Sequence, residues 1–213
     1  MTQPTTTENP PAPRGSSREA IVGAAERLFL TRGFGGVSMD ELAEEAGVAR
    51  RTLYNQFSSK EDILREMLLR VSARIGSALP PGIETQGDVE AVLRLIARAV
   101  LDFQAPDEFV GLLRMTTADS RQFPWIATAL DSVLKPYLER FARYLSHLTS
   151  LGVLDCPDPL LAAQLFLGLL NGPTLWPRLF SPDSVFSAPD TVAEETVQMF
   201  LLRYRNAQPP SST

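Results

Sequence analysis

The chain of 213 residues holds one cysteine, Cys156, and one histidine, His147. A single cysteine excludes a disulfide framework and a thiolate cluster, and a single histidine excludes a histidine-rich metal site. No apolar run reaches the ~18 residues that a membrane span requires, so the expectation is a soluble, cytoplasmic protein without a membrane partner. The alternation of a half-buried strand is also missing. No glycine-rich phosphate loop follows a strand, and no nucleophilic triad is visible. The adjacent pairs Glu44-Glu45 and Glu194-Glu195 point about 100° apart on a helix, so neither forms a carboxylate dyad. These absences leave no cofactor, no metal and no enzyme active site to expect.

What is present is helical periodicity almost throughout, with 44% hydrophobic residues, enough for a packed core. An all-α chain is predicted. Ile21, Ala25, Leu28 and Phe29 form one stripe between the caps Ser16 and Ser17 and Gly33. Short helices follow from Ser38 and over Ala49 to Phe57. A longer one runs from Ser58 or Ser59 to Leu79, where Pro80-Pro81-Gly82 stops it. Beyond lie helices over Val89–Phe103 and Glu108–Thr117. Another starts at Trp125, where Pro136 either kinks it or opens a new one. Gly152 reads as a C-cap. Asp158-Pro159 opens a helix that ends at Asn171-Gly172, before a loop carrying Pro173, Pro177 and Pro182. The last helix covers Asp190 to Arg205. Residues 1–15 and 207–213 read as mobile tails, 16–60 as a three-helix head, and 61–206 as a helical body joined to it by the long fourth helix.

The sharpest signal lies between Val37 and Phe57. Ser38 and Glu41 have the spacing of a capping box, and Val37 and Leu42 that of a hydrophobic staple. Two devices therefore specify one helix start. Gly47 sits where a short turn between crossed helices needs a positive φ, and Ala43 is small enough for close crossing. With Leu42, Ala46, Val48, Leu53 and Phe57 turned inward, Arg50, Arg51, Thr52, Tyr54 and Asn55 remain on or near the outward side. Two guanidiniums, a hydroxyl, a phenol and an amide suit base edges and phosphates of a major groove. The net charge of −5 does not oppose this, because phosphate contacts are local. Ala46 to Lys60 carries Arg50, Arg51 and Lys60 and no acid. An ordinary helical hairpin with a solvated basic face is the plainer alternative. A helix-turn-helix used for protein contacts, and a helical enzyme with a vestigial head, are two others.

Helix, Ser-capped helix, Ala-Gly-Val turn, Thr52-Leu53-Tyr54-Asn55-Gln56-Phe57 and Ser59-Lys60-Glu61 together resemble the TetR family of repressors, over about Arg18 to Leu69. The resemblance implies that Ser38 and Lys60 hold phosphates from either side of the groove. Arg50, Arg51 and Thr52 would meet bases or phosphates, and Tyr54 a backbone phosphate. Ala49 departs from the Ser or Thr that many relatives carry as a cap. The resemblance also implies a homodimer on a palindromic operator in double-stranded DNA, released by a small-molecule inducer held in the body. Leu151 to Ala163 is similar, more weakly, to an AcrR-like branch.

Leu160 to Leu170 is apolar nearly all round and must be buried on more than one side. Leu161, Leu165 and Gly168 on that helix, with Val197, Phe200, Leu201 and Tyr204 on the last, are the candidate dimer surface, the plainer alternative being a central helix in a large monomeric core. Phe103, Phe109, Met115, Phe123, Trp125 and Trp176 are the candidate ligand wall, since aromatics with methionine adapt to apolar molecules. At helical spacing the same residues also read as plain core.

Overall fold

The computed structural model describes residues 14–78, 82, 88–181 and 188–206. The described chain is all-α, with helices α1 (Arg14–Arg32), α2 (Met39–Glu45), α3 (Arg50–Gln56), α4 (Lys60–Ala78), α5 (Val89–Gln104), α6 (Asp107–Asp119), α7 (Pro124–Ser150), α8 (Pro159–Phe180) and α9 (Pro189–Tyr204). It divides into two compact units, Met1–Met67 and Leu68–Thr213. The boundary falls within α4. Residues 1–13 and 207–213 of the expected tails, and the stop at Leu79 to Pro81, lie outside the described residues. No described helix is long and apolar enough to cross a membrane.

In the first unit α1 turns Ile21, Val22, Ala25 and Phe29 onto Phe34, Leu42, Leu53, Phe57, Ile63 and Leu64, all buried. Of the stripe read from α1, Ile21, Ala25 and Phe29 are buried and Leu28 is half-buried. Gly33, at φ 76°, ends α1 by donating to the Phe29 carbonyl at 2.9 Å. Only glycine takes that conformation at little cost.

The second unit is built around α5, α7, α8 and α9. Phe166 lies at its centre with no exposed surface. Its ring meets Phe141 edge-on at 5.1 Å and Phe200 at 5.3 Å, geometries that favour aromatic pairs beyond their area. Phe166→Ala should cost about 3–5 kcal/mol, measured as a lowered midpoint of urea unfolding. Asp158 caps α8 by accepting from the Leu161 amide at 3.0 Å. Behind α7, Gly152 takes φ 70°. The following residues then pair with the end of α9: the Asp155 amide donates to the Tyr204 carbonyl at 2.8 Å, and the Asn206 amide to that of Val153 at 3.2 Å.

Two proline readings are resolved. Pro136 lies inside a single α7. The expected end of α8 at Asn171-Gly172 is corrected: the helix continues through Gly172, Pro173 and Pro177 to Phe180. Each proline removes the donor for the carbonyl four residues back. Packing and side-chain bonds offset that loss. Leu175 is buried against Phe109 and Val110, and Arg178 donates to the carbonyls of Gln104 and Ala105 at 2.7 Å each. Arg114 donates to the carbonyls of Leu179, at 3.1 Å, and Arg178.

Candidate nucleic-acid interface

α2 has its start fixed as the sequence requires. The Glu41 amide donates to Ser38 Oγ at 3.3 Å, and Glu41 Oε2 accepts from the Ser38 amide at 2.8 Å and hydroxyl at 2.7 Å. Arg32 adds a contact to Glu41 Oε1 at 2.6 Å. These Ser38 bonds, and then Arg32, hold the Glu41 carboxyl at about 2, well below its ordinary 4.5. A carboxylate whose pKa is depressed by folding stabilises the fold above its unfolded value. The contribution is lost as pH falls through the folded value. Stability of the first unit should therefore decline from about pH 4.5 towards 2. In Glu41→Gln that part of the slope should vanish, as read from tryptophan-independent signals such as amide chemical shifts of α2.

Gly47 makes the turn at φ 65°, with its amide on the Glu44 carbonyl and that of Val48 on Ala43, both at 3.0 Å. A Cβ there would meet nothing within 4 Å, so the requirement for glycine is conformational and not spatial. α3 follows without a side-chain cap at Ala49. Leu53 and Phe57 are buried, which turns Arg50, Arg51, Tyr54 and Asn55 outward; Thr52 and Gln56 are half-buried. Tyr54 is 53% exposed.

The remaining expected contacts are positioned differently. Ser38 is exposed, but its hydroxyl serves the capping box. Lys60 donates to the carbonyls of Phe34 at 2.9 Å and Val37 at 3.0 Å, and stands 4.6 Å from the Phe34 ring centroid. Two of its three donors thus close the loop between α1 and α2. Residues outside the sequence reading also build the site. Arg18 donates to the Gln56 carbonyl at 3.2 Å and to Glu66 at 2.9 Å, and lies 4.2 Å over the Phe57 ring. It thereby satisfies an orphan carbonyl at the C-terminus of α3, where a cation is favoured. Asp40 of α2 pairs with Arg50, Nε to Oδ1, at 2.9 Å.

In the second unit the outward face of α8 carries Leu161, Leu165, Gly168, Leu169, Gly172 and Trp176. A Cβ on either glycine would meet nothing within 4 Å. On α9 the candidate residues Val197, Phe200 and Leu201 are instead buried in the core, with Tyr204 half-buried. The exposed apolar residues of α9 are Met199 and Leu202, the latter 85% exposed. The residues expected as a ligand wall differ in burial and in their neighbours. Phe109 and Met115 are buried, Phe103 packs on Phe109 at 4.5 Å, and Trp176 stacks on exposed Phe180 at 6.5 Å. Phe123 and Trp125 are half-buried. A cleft of about 370 Å³ lies elsewhere, lined by Leu101, Gln104, Ala105, Thr174, Arg178, Ala188 and Pro189.

Comparison with known proteins bears on both units. Residues 21–67 match the model of bacterial regulatory proteins of the tetR family, and residues 91–206 match that of the AefR-like transcriptional repressor C-terminal domain. The second match alone covers more than half of the chain. The chain belongs to the TetR family. It is accordingly a DNA-binding transcriptional regulator, and regulators of this family are not enzymes.

Among TetR-family relatives, the transcriptional activator FasR of Mycolicibacterium smegmatis is 34% identical over 91 residues, 43% of this chain and 42% of that protein. The regulator EthR of Mycobacterium tuberculosis is 39% identical over 79 residues, 37% of each. These matches span about two fifths of the relatives' length. Solved structures extend the likeness over the whole fold. The flavonoid-responsive regulator FrrA has a TM-score of 0.73 at 27% identity, covering 91% of this chain and 100% of that one. A TetR-family regulator from Pseudomonas syringae has 0.70 at 28%, covering 88% and 96%.

Proposed function

We propose that the chain is a homodimeric repressor, acting in the cytoplasm, that reads a palindromic operator with α3 and is released by a small molecule bound in its second unit. The observation that carries the DNA reading is the outward face of α3. Arg50, Arg51, Tyr54 and Asn55 stand exposed together on a short helix whose partner, α2, is fixed at its start by the Ser38–Glu41 capping box. Thr52 stands beside them, and Ser38 and Lys60 flank the face as weaker phosphate candidates, since their donors are largely engaged.

The dimer reading rests on α8 and α9. Exposed apolar residues repeated along a helix face mark an interaction site, and Gly168 and Gly172 allow a second helix to approach closely. A second copy meeting the stripe Leu161, Leu165, Leu169, Met199 and Leu202 would form a two-fold four-helix contact. The head would then be presented twice, to successive grooves.

The ligand reading is supported by the cleft between α5, α8 and the start of α9, and by relatives named for such responses. One neighbour of 23% identity is the structure of AibR with isovaleryl coenzyme A and operator DNA. A ligand weakens operator binding only by its differential affinity for two states, a coupling typically of about 1–3 kcal/mol. α4, which gives residues to both units, is the segment through which the two would be coupled. The sign of regulation has a second reading, because FasR is an activator.

Selection of bound duplexes from a random pool at two salt concentrations tests the core of this function. A palindrome enriched by the chain, with affinity falling steeply as salt rises, supports it. Absence of enrichment by well-folded protein would move the assignment of α3 to protein contacts. Placing the selected sequence across a reporter promoter then gives the sign.

A further inference from the structure

α3 opens with two adjacent arginines that stand in different situations. Arg51 is exposed and has no side-chain partner among the described residues. Arg50 is also exposed, yet its Nε lies 2.9 Å from Oδ1 of Asp40. Asp40 is the second residue of α2, between Ser38 and Glu41 of the capping box that anchors that helix. The carboxylate is therefore presented from a fixed base, ten residues earlier in the chain.

The pair adds little to stability, since the two side chains are 71% and 48% exposed. What it changes is direction. An ion pair at Nε draws the guanidinium towards α2 and narrows the range of directions in which its end-on Nη1–Nη2 edge can point. A pair of parallel N–H donors is what reads O6 and N7 of guanine in a major groove. A freely turning arginine, by contrast, suits a phosphate, which accepts from many directions.

We propose that Asp40 is a positioning residue of the DNA site, holding Arg50 as a directed reader of one guanine in each half-site while Arg51 serves the phosphate backbone. This rests on α3 being the recognition helix. It carries an unusual signature, because Asp40 also places a negative charge beside DNA. Removing it should strengthen binding to every sequence while weakening the choice among them.

The test measures wild type, Asp40→Ala, Asp40→Asn, Arg50→Ala, Arg51→Ala and Asp40→Ala/Arg50→Ala on the selected operator, on its single-base variants and on random duplex. Asp40→Ala should bind random duplex more tightly than wild type. It should also lose roughly ten-fold or more of the discrimination at one base pair of each half-site. Arg50→Ala should flatten the same base pair, and the double variant should be no flatter than Arg50→Ala. Arg51→Ala should instead weaken all duplexes alike and reduce the salt slope by about one per head. Asp40→Asn, which keeps an acceptor at that position, should fall between wild type and Asp40→Ala, and it serves if Asp40→Ala fails to fold. Unchanged preference at every position in the Asp40 variants would overturn the proposal, as would flattening at a base pair that Arg50→Ala leaves intact. A wild type that enriches no sequence would overturn the recognition reading itself, and this inference with it.

Discussion

Replacing Arg50 and Arg51 together by alanine is expected to lower operator affinity by at least about 100-fold, leaving the helical content and melting temperature unchanged. Both side chains are exposed, so neither contributes apolar burial. The Asp40 pair is too solvated to matter to the fold. One directed base contact accounts for roughly 1–3 kcal/mol of discrimination, and the backbone contact adds a salt-dependent share in each half-site. Titration at two or more salt concentrations separates the two. The variant should show a shallower slope and a reduced preference for the operator over random duplex, lost at the base pair that Arg50 reads. Preference retained at that base pair would move its reading to Tyr54 and Asn55.

Disrupting the outer face of α8 should have an effect of the same order by another route. Leu165→Glu is expected to give a monomer in sedimentation at micromolar concentration. Leu165 is 50% exposed in the single chain, so the substitution costs the isolated fold little. Across a two-fold axis, however, the carboxylate appears twice in apolar surroundings and must be desolvated without a partner. Gly168→Leu is a sharper variant. A Cβ there meets nothing within 4 Å in its own chain and leucine favours helix over glycine, so the monomer should be as stable as before or more so. Only a closely approaching partner helix would object. Once the heads are separate, the gain from linking two binding events is lost, roughly 10²–10⁴ in apparent affinity. Operator binding by a variant that sediments as a monomer, at wild-type affinity, would sink the dimer reading.

The parts of the molecule legible in advance are those governed by neighbours in sequence. The capping box of Ser38 and Glu41, the positive φ at Gly47 and the Asp158 cap of α8 each depend on a window of a few residues, and each is found. Where distant residues decide, the reading stopped short. Gly172, Pro173 and Pro177 are breakers by any local rule. Yet α8 passes through them, held by Leu175 buried against Phe109 and Val110 and by Arg114 and Arg178 on backbone carbonyls. The apolar stripe of α9 was recognisable, but not its destination. Val197, Phe200 and Leu201 face the core, and Met199 and Leu202 face outward. The face of α3 carries no acid of its own, while Asp40 reaches it from the preceding helix. Arg18 meets Gln56 across 38 residues, a contact that no motif announces.

α5 packs against α9, and the order of synthesis separates the two. α5 begins at Val89 and α9 at Pro189, so the apolar side of α5 leaves the ribosome about 100 residues before the helix that covers it. At ~5–20 residues per second that interval is roughly 5–20 s. The first unit, whose contacts close within Met1–Met67, is complete long before. A growing chain therefore holds the apolar side of α5 uncovered over that interval, and the second unit closes only as the final turns of α9 emerge.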